Sequence, residues 1–198
     1  MPATLSAERN ASDRAALLDA AEELMYAHGV QAVGMDRIRD ASGLSLKRIY
    51  ALYPTKEDLV VAMLRRRDER WRHALARYVE RVDDPVRRVE AVFHWLRDWF
   101  GEQGFRGCAW INMHGELGAE SPAVRAEVRA HKAAFRDMIA GWVAATGSDA
   151  ADAIYLLAEG AIVTAGITGE TAVASTAEAA AAQILSAPGG DRRDQLGS

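Results

Sequence analysis

Apolar residues recur along the chain at spacings of three and four positions, the period of a helix, rather than alternating as in a strand. The first such segment carries one face formed by Leu17, Ala21, Leu24, Met25 and His28. Ser12 can cap this helix at its start, and Gly29 follows where a left-handed residue can end it. The pattern predicts an all-α protein whose first helix spans about 13–28.

Two short helices follow and are joined by a tight turn. Gly43 ends the first of them, predicted over 35–42, and Ser45 can cap the second. Pro54 ends the second, because proline disfavours helical geometry at the preceding residue. This pair has the length and turn of a helix-turn-helix, whose second helix enters the major groove of DNA.

Capping residues, prolines and glycines predict six further helices. Their approximate ranges are 55–81, 85–103, 108–117, 122–146, 149–164 and 171–185, and the three glycines within 101–107 indicate a loop. The chain is thus divided into a three-helix N-terminal domain over 13–60 and a helical bundle over 61–187. Residues 1–12 are expected to form a disordered arm, and 188–198 a disordered tail.

Composition narrows the class of protein. The chain of 198 residues is 49% hydrophobic and 26% charged, which is typical of a globular domain. No apolar run approaches the roughly 20 residues that a bilayer span needs. No secretory signal is visible before Asp13, and a single cysteine cannot build a disulfide framework. We therefore expect a cytoplasmic protein without a membrane partner.

Charge is unevenly distributed along the sequence. The formal net charge of −4 belongs wholly to the part after Asp84, whereas 30–82 holds 12 basic and 7 acidic residues. A polyanionic partner would therefore meet the N-terminal third of the chain.

The second short helix is expected to place an unusual set of side chains in solvent. Leu44, Ile49 and Tyr53 can face the core, which leaves Leu46, Lys47, Arg48 and Tyr50 outward. Lysine and arginine can hydrogen-bond guanine edges or phosphates, leucine can touch a thymine methyl, and a tyrosine hydroxyl can reach a phosphate. Lys56, at the start of the next helix, can add a phosphate contact. The alternative is an ordinary solvated helix face.

The segment from Met35 to Leu59 resembles, without a gap, the signature of the TetR family of bacterial transcriptional regulators. The positions that match the family's preferred residue types are Ile38, Gly43, Ser45, Tyr50, Pro54, Lys56, Glu57 and Leu59. The resemblance covers about 13–60. It implies a DNA-binding helix-turn-helix domain, an all-α effector and dimerisation domain, and a homodimer that binds an operator. The DNA-binding residues are then expected to be Arg37, Ser45, Leu46, Lys47, Arg48, Tyr50 and Lys56.

The segment also departs from the family pattern. Gly34 stands where a phosphate-binding, helix-capping threonine is usual, Lys47-Arg48 replace the common Gly-Thr, and Leu52 replaces a ring. The more basic recognition helix suggests an operator of its own. Beyond Val60 the resemblance is weaker, although Arg106-Gly107-Cys108 and 112–117 resemble one C-terminal subgroup of the family.

Aromatic and sulfur-containing side chains are concentrated in the C-terminal part. A mostly apolar small molecule is predicted to bind there between the helices at 85–103, 108–117 and 122–146. The candidate ligand residues are Trp95, Trp99, Trp110, Met113, His114, Glu116, Phe135, Met138, Trp142 and Tyr155. A tightly packed core without a cavity fits the same pattern.

These observations favour a ligand-responsive repressor that binds a palindromic operator as a homodimer and is released by the small molecule. Two alternatives remain, a small α-helical enzyme using His114 and Glu116 and a helical interaction module that does not bind DNA. No catalytic residue, cofactor or metal is expected, because no nucleophile, phosphate loop or metal-ligand spacing carries a mechanism. Cys108 is interpreted as a buried apolar residue, and the run 65–67 as solvated or domain-linking arginines.

The dimer seam is expected on the last two helices. Their small residues allow close helix approach, and the predicted set is Ala153, Leu157, Ala161 and Thr164 with Ala177, Ala180, Ala181 and Ile184. The same residues would also suit an intramolecular core.

Overall fold

The computed structural model describes residues 2–187, with side chains from Ala7 onward. Over this range the chain forms helices and no strand, which confirms the all-α prediction. The helices are α1 Pro2–His28, α2 Met35–Ser42, α3 Leu46–Leu52, α4 Lys56–Val79, α5 Pro85–Phe100, α6 Ala109–Leu117, α7 Pro122–Ala144, α8 Ala151–Thr168 and α9 Val173–Ser186. From α2 onward, each predicted helix end lies within about one turn of the observed end. The expected tail over 188–198 lies outside the described residues.

Local capping signals explain why the predicted helix ends are close to the observed ones. The Ser45 hydroxyl accepts a hydrogen bond from the Arg48 backbone N–H at 3.2 Å at the start of α3. Before α4 the cap is reciprocal: the Asp58 backbone N–H donates to Thr55 Oγ1 at 3.0 Å, and the Thr55 N–H donates to the Asp58 carboxylate at 3.1 Å. Gly43 ends α2 with φ of 69°, as expected for a left-handed terminating residue.

The start of α1 differs from the prediction. The helix begins at Pro2 rather than near Asp13, and the described residues of the expected arm are helical in the structure. Ser12 lies inside the helix and does not cap it. The physical reason is that neither glycine nor proline interrupts 3–13, and that Asp13 forms an ion pair with Arg48 of α3.

The chain packs as two compact units, each formed from two segments of the sequence. Unit 1 contains the residues up to Trp71 together with Cys108–His131, and unit 2 contains Arg72–Gly107 together with the residues from Lys132 onward. Polar contacts attach α7, and the residue just before it, to α4 within unit 1. The Ser121 hydroxyl donates to the Glu57 carboxylate, and Arg65 pairs with Glu127 at 2.5 Å.

Unit 1 buries one face of each of the first helices. α2 packs against both α1 and α3. The core residues are Leu17, Ala21, Met25, Val30, Val33, Ile38, Ile49, Leu59 and Val60, all of which are almost fully buried. This apolar core attaches the helix-turn-helix to α1.

Unit 2 is built around α5, α8 and α9, which contact one another pairwise. Small side chains on α8 and α9 bring these helices close, and Ala161, Ala177 and Ala181 are buried inside the unit. Those three belong to the predicted dimer seam, so for them the structure favours the intramolecular alternative. By length and composition alone α8 could cross a membrane, but helices of soluble cores have the same composition, and one side of α8 is packed in unit 2.

Alanine substitutions at Gly29 and Gly115 test backbone strain, because we expect them to change the free energy of unfolding in opposite directions. We predict that Gly29→Ala lowers the free energy of unfolding by about 1–2 kcal/mol, because φ of 86° disfavours an L side chain. The added Cβ would also lie 3.0 Å from the Glu116 carboxylate. Gly115→Ala should raise the free energy by about 0.5–1 kcal/mol, since Gly115 lies within α6 and its Cβ would meet open space. Urea unfolding measures both, and an unchanged value for Gly29→Ala would contradict the prediction.

Candidate nucleic-acid interface

The surface of α3 is formed by residues that the sequence placed outward. Ile49 and Leu52 are buried and attach the helix to the core, while Lys47 is exposed and Tyr50 is 46% exposed. Lys47 and Tyr50 therefore present a cationic and a phenolic group side by side on a helix that follows a tight turn.

Three neighbours depart from the expected inside and outside positions. Leu44 and Tyr53, predicted to face the core, are only half-buried, and Leu52 fills the core instead. Leu46 is half-buried rather than fully outward, and Ser45 is exposed at the cap. The short α3 has less than two full turns inside the core, so residues at its ends lie at the edge of the buried region.

Arg48 does not extend freely into solvent as expected. Its Nε donates to the Asp13 carboxylate at 2.7 Å, and a terminal nitrogen donates to the Asn10 side-chain carbonyl. The guanidinium is thus turned toward α1. The Arg37 side chain, by contrast, is exposed on α2.

Lys56, predicted to reach a phosphate, is engaged within unit 1. Its Nζ donates to the Val30 carbonyl at 2.6 Å. Burial lowers the pKa of the Lys56 ammonium from its ordinary value, and the negative charge of Glu116 acts in the opposite direction. In this structure the ammonium holds the loop between α1 and α2.

Glu116 is also used differently from the expectation that it binds a ligand. Its Oε2 accepts from the Gln31 backbone N–H at 2.9 Å, and its backbone carbonyl accepts from Gln31 Nε2 at 2.9 Å. The residue therefore attaches α6 to the loop that precedes α2. His114, its proposed partner in an enzyme, is exposed. The enzyme alternative loses support because its carboxylate already has a structural partner.

Comparison with known proteins identifies this arrangement. Residues 17–63, which span most of α1 to the first turns of α4, match the family model described as bacterial regulatory proteins, tetR family. This match covers the N-terminal DNA-binding segment, and it supports a transcriptional regulator of the TetR family. The chain is a DNA-binding transcriptional regulator, and α2 and α3 form its helix-turn-helix. No curated protein is significantly similar to the chain.

Solved structures support the TetR-family fold over most of the chain. A TetR-family transcriptional regulator from Streptomyces coelicolor has 27% identity and a TM-score of 0.80, covering 88% of this chain and 95% of that one. The reduced form of NemR from E. coli has 20% identity and a TM-score of 0.78, covering 89% and 99%. A TetR transcriptional regulator from Chloroflexus aurantiacus has 22% identity and a TM-score of 0.76, covering 89% and 95%. The last two likenesses concern the fold alone.

Outside the segment that matches the TetR family, Trp110 lies in a buried ring cluster of unit 1. Trp110 stacks on His131 with ring centroids 3.4 Å apart, and Trp71 meets both rings edge-on. His131 Nδ1 lies 2.7 Å from the Asp68 carboxylate. Met113, also a predicted ligand residue, is buried in unit 1. For Trp110 the packing favours the core alternative.

His131 was not among the residues predicted from the sequence. A signal was present, because His131 lies in helical register with buried residues of α7, namely Val124, Val128, Phe135 and Ile139. A histidine in an apolar stripe needs a polar partner, and Asp68 supplies it here.

The other predicted ligand residues lie in unit 2. Trp95 stacks on Trp99 at 5.6 Å, and Phe135 meets Tyr155 edge-on at 5.8 Å. Trp142 is buried and Met138 half-buried. Phe105, which sequence analysis did not select, packs edge-on against Trp99 at 5.0 Å.

A groove of about 410 Å³ lies between α7 and α8 in unit 2. Its lining consists of Lys132, Ala133, Arg136, Asp152, Tyr155 and Leu156. Arg136 makes two hydrogen bonds to Asp152 at 2.8 and 2.9 Å, and Lys132 pairs with Glu159 at 2.6 Å. This groove shares Tyr155 with the predicted ligand set, and its lining also includes the charged side chains of Lys132, Arg136 and Asp152.

The core position of Trp110 generates a stability prediction. Trp110→Ala should lower the free energy of unfolding by about 3–5 kcal/mol, because it removes a fully buried ring and its stacking on His131. Trp95→Ala removes the same side chain from a half-buried position and should cost clearly less. Chemical unfolding measures both changes. Equal losses, or a small loss for Trp110→Ala, would contradict the core role.

Proposed function

We propose that this regulator is a ligand-responsive repressor, which binds a palindromic operator as a homodimer in the cytoplasm and is released by a mostly apolar small molecule. The observation that carries the DNA-reading part is the exposed pair Lys47 and Tyr50 on α3, positioned by the buried Ile49 and Leu52. A solvent-exposed cation beside a phenol on the second helix of a helix-turn-helix matches the chemistry of a DNA groove.

The proposed roles follow from exposure. The Lys47 ammonium donates to guanine or phosphate oxygens, the Tyr50 hydroxyl reaches a phosphate, and Leu46 contacts a thymine methyl. Ser45 caps α3, and Arg37 on α2 supplies a phosphate contact. In this proposal the DNA-binding domain is 13–60 and the ligand-binding and dimerisation domain is 61–187.

Replacing Lys47 tests the proposed DNA contact. Lys47→Ala should weaken binding to the preferred duplex by about 1–3 kcal/mol and relax base preference at one position of each half-site, because one base contact is removed. Arg129→Ala is the control, since it removes an exposed positive charge from α7 without touching α3. The measurement is fluorescence anisotropy with labelled duplexes at several salt concentrations. If both variants lose affinity equally, Lys47 acts only through general charge and the assignment is wrong.

An exposed apolar face on α8 supports the homodimer. Leu156, Val163 and Ile167 are 66%, 40% and 81% exposed, and their spacing places them on one side of the helix with Gly160 between them. One recognition helix reads few base pairs, so a second copy seated on this face would supply the second half-site. We therefore propose that the dimer seam is formed by the exposed face of α8 and not by its buried alanines.

The assembly prediction uses two valines of equal exposure. Val163→Glu should shift the protein from dimer to monomer at micromolar concentration, because it places a charge in an apolar contact. Val86→Glu makes the same change at a residue of α5 that is 41% exposed and should leave the mass unchanged. Sedimentation equilibrium gives the two masses. A wild-type monomer, or a dimer in the Val163→Glu variant, would refute this seam.

Partly exposed side chains of unit 2 support binding of a small molecule there. Trp95, Met138 and Tyr155 each retain accessible apolar surface. If a ligand prefers the conformation that does not fit DNA, it must weaken operator binding, with a typical coupling of about 1–3 kcal/mol. Titrating the protein–operator complex with a set of apolar aromatic compounds should identify one that releases DNA. Release by none at saturation would count against the ligand-responsive part of the proposal.

A further inference from the structure

Arg48 is joined to α1 through a specific, partly buried contact. Its Nε lies 2.7 Å from Asp13 Oδ2, and a terminal nitrogen donates to Asn10 Oδ1. The Asp13 side chain is 18% exposed and the Arg48 side chain 33% exposed. Partial burial limits screening by solvent, so this pair is expected to hold its geometry better than a surface ion pair.

The contact occupies one of the donor pairs with which an arginine can read a base. Arginine recognises guanine by presenting two parallel N–H groups to O6 and N7. Here Nε and a terminal nitrogen of Arg48 are already directed at α1. Lys47, the preceding residue, remains exposed. Of the two adjacent basic residues of α3, Arg48 therefore faces α1 and Lys47 faces solvent.

A second contact joins the same part of α1 to the end of α3. The Arg14 guanidinium lies over the Tyr53 ring, with its central carbon 5.1 Å from the ring centroid. Tyr53 is the residue that follows the last turn of α3. Residues 10–14 of α1 thus hold the recognition helix near its first turn, through Arg48, and at its end, through Tyr53.

We infer that Asn10 and Asp13 are positioning residues for sequence-specific DNA binding, acting through Arg48. They set the orientation of α3 within unit 1, so that Lys47 and Tyr50 meet the groove at a fixed angle, while Arg48 itself reads no base. This inference rests on the proposed operator binding. Both residues precede the segment 17–63 that matches the family model, and Asn10 lies in the part of α1 that extends beyond the predicted start.

The test is a double-mutant cycle that replaces the two charged side chains by neutral polar ones in the full-length protein. The variants are Asp13→Asn, Arg48→Gln and the two together. Asp19→Asn is the control, because it removes the same charge from the same helix at an exposed ion pair with Arg66. Base preference is read by selection from a randomised DNA duplex library, and affinity is measured for the duplex that the wild type selects. Circular dichroism checks that each variant is helical.

The expected result is that each single variant binds the selected duplex about tenfold more weakly and that the double variant loses no more than either single one. Base preference should weaken across the whole half-site in Asp13→Asn and Arg48→Gln alike, and stay unchanged in Asp19→Asn. Loss of preference at one base pair in Arg48→Gln, with Asp13→Asn unaffected, would overturn the inference and assign Arg48 to base readout. If the fold losses of affinity of the two single variants multiply in the double variant, the inference is overturned as well.

Two further outcomes are also decisive. If the wild type selects no duplex, the proposed operator binding is wrong and the inference is wrong with it. If the wild type selects a duplex but the substitutions at Asp13 and Arg48 show no energetic coupling, only the inference is wrong. If Arg48→Gln does not fold, the test uses the base preference of Asp13→Asn alone. This variant keeps the side-chain volume and a hydrogen-bonding group, so we expect it to fold. An unaltered preference in Asp13→Asn then contradicts the positioning role.

Discussion

The loop between α1 and α2 is held by the Glu116 carboxylate, and the placement of the helix-turn-helix within unit 1 depends on this contact. The loop leaves α1 through Gly29 at φ of 86°, where a side chain would collide with that carboxylate. Gln31 donates to Glu116 from its backbone and from its side chain, while Lys56 binds the Val30 carbonyl from the start of α4. Backbone groups of a loop need hydrogen-bond partners outside regular secondary structure, and here α4 and α6 provide partners for Val30 and Gln31. Through this loop, the helix-turn-helix is connected with α6, a helix that begins more than 50 residues after α3 ends.

A second set of contacts stabilises the long α4 against α1. Glu22 accepts from Arg67 at 2.7 Å and from Arg70 at 2.5 Å, and Arg66 pairs with Asp19 at 2.6 Å. Arginine suits this arrangement because its planar guanidinium can serve several carboxylate oxygens at once. Several basic side chains of the N-terminal third are therefore paired with carboxylates inside unit 1, and only the remaining ones are available to a polyanion.

The sequence was sufficient for features that depend on neighbouring residues. Ser45, Thr55 and Gly43 act over three or four positions, so the ends of α2, α3 and α4 could be predicted from them. The directions of Arg48 and Glu116 could not, because their partners lie 35 and 85 positions away. Residue type shows that a side chain needs a partner but not which one it finds. The start of α1 was missed for a related reason, since an exposed serine resembles a cap whether or not the helix continues past it.

Unit 2 contains a place where two backbones meet without side chains. Gly107 ends the loop before α6 with φ of 78°, and a Cβ on Gly166 of α8 would lie 2.8 Å from the Gly107 Cα. Neither residue has a side chain that a second substitution could shorten to make room. A substitution at either glycine cannot be compensated by shortening a neighbouring side chain. Sequence change at this contact is therefore limited to the length and course of the loop. Insertions and deletions in 101–107 are the evolutionary route that this contact leaves open.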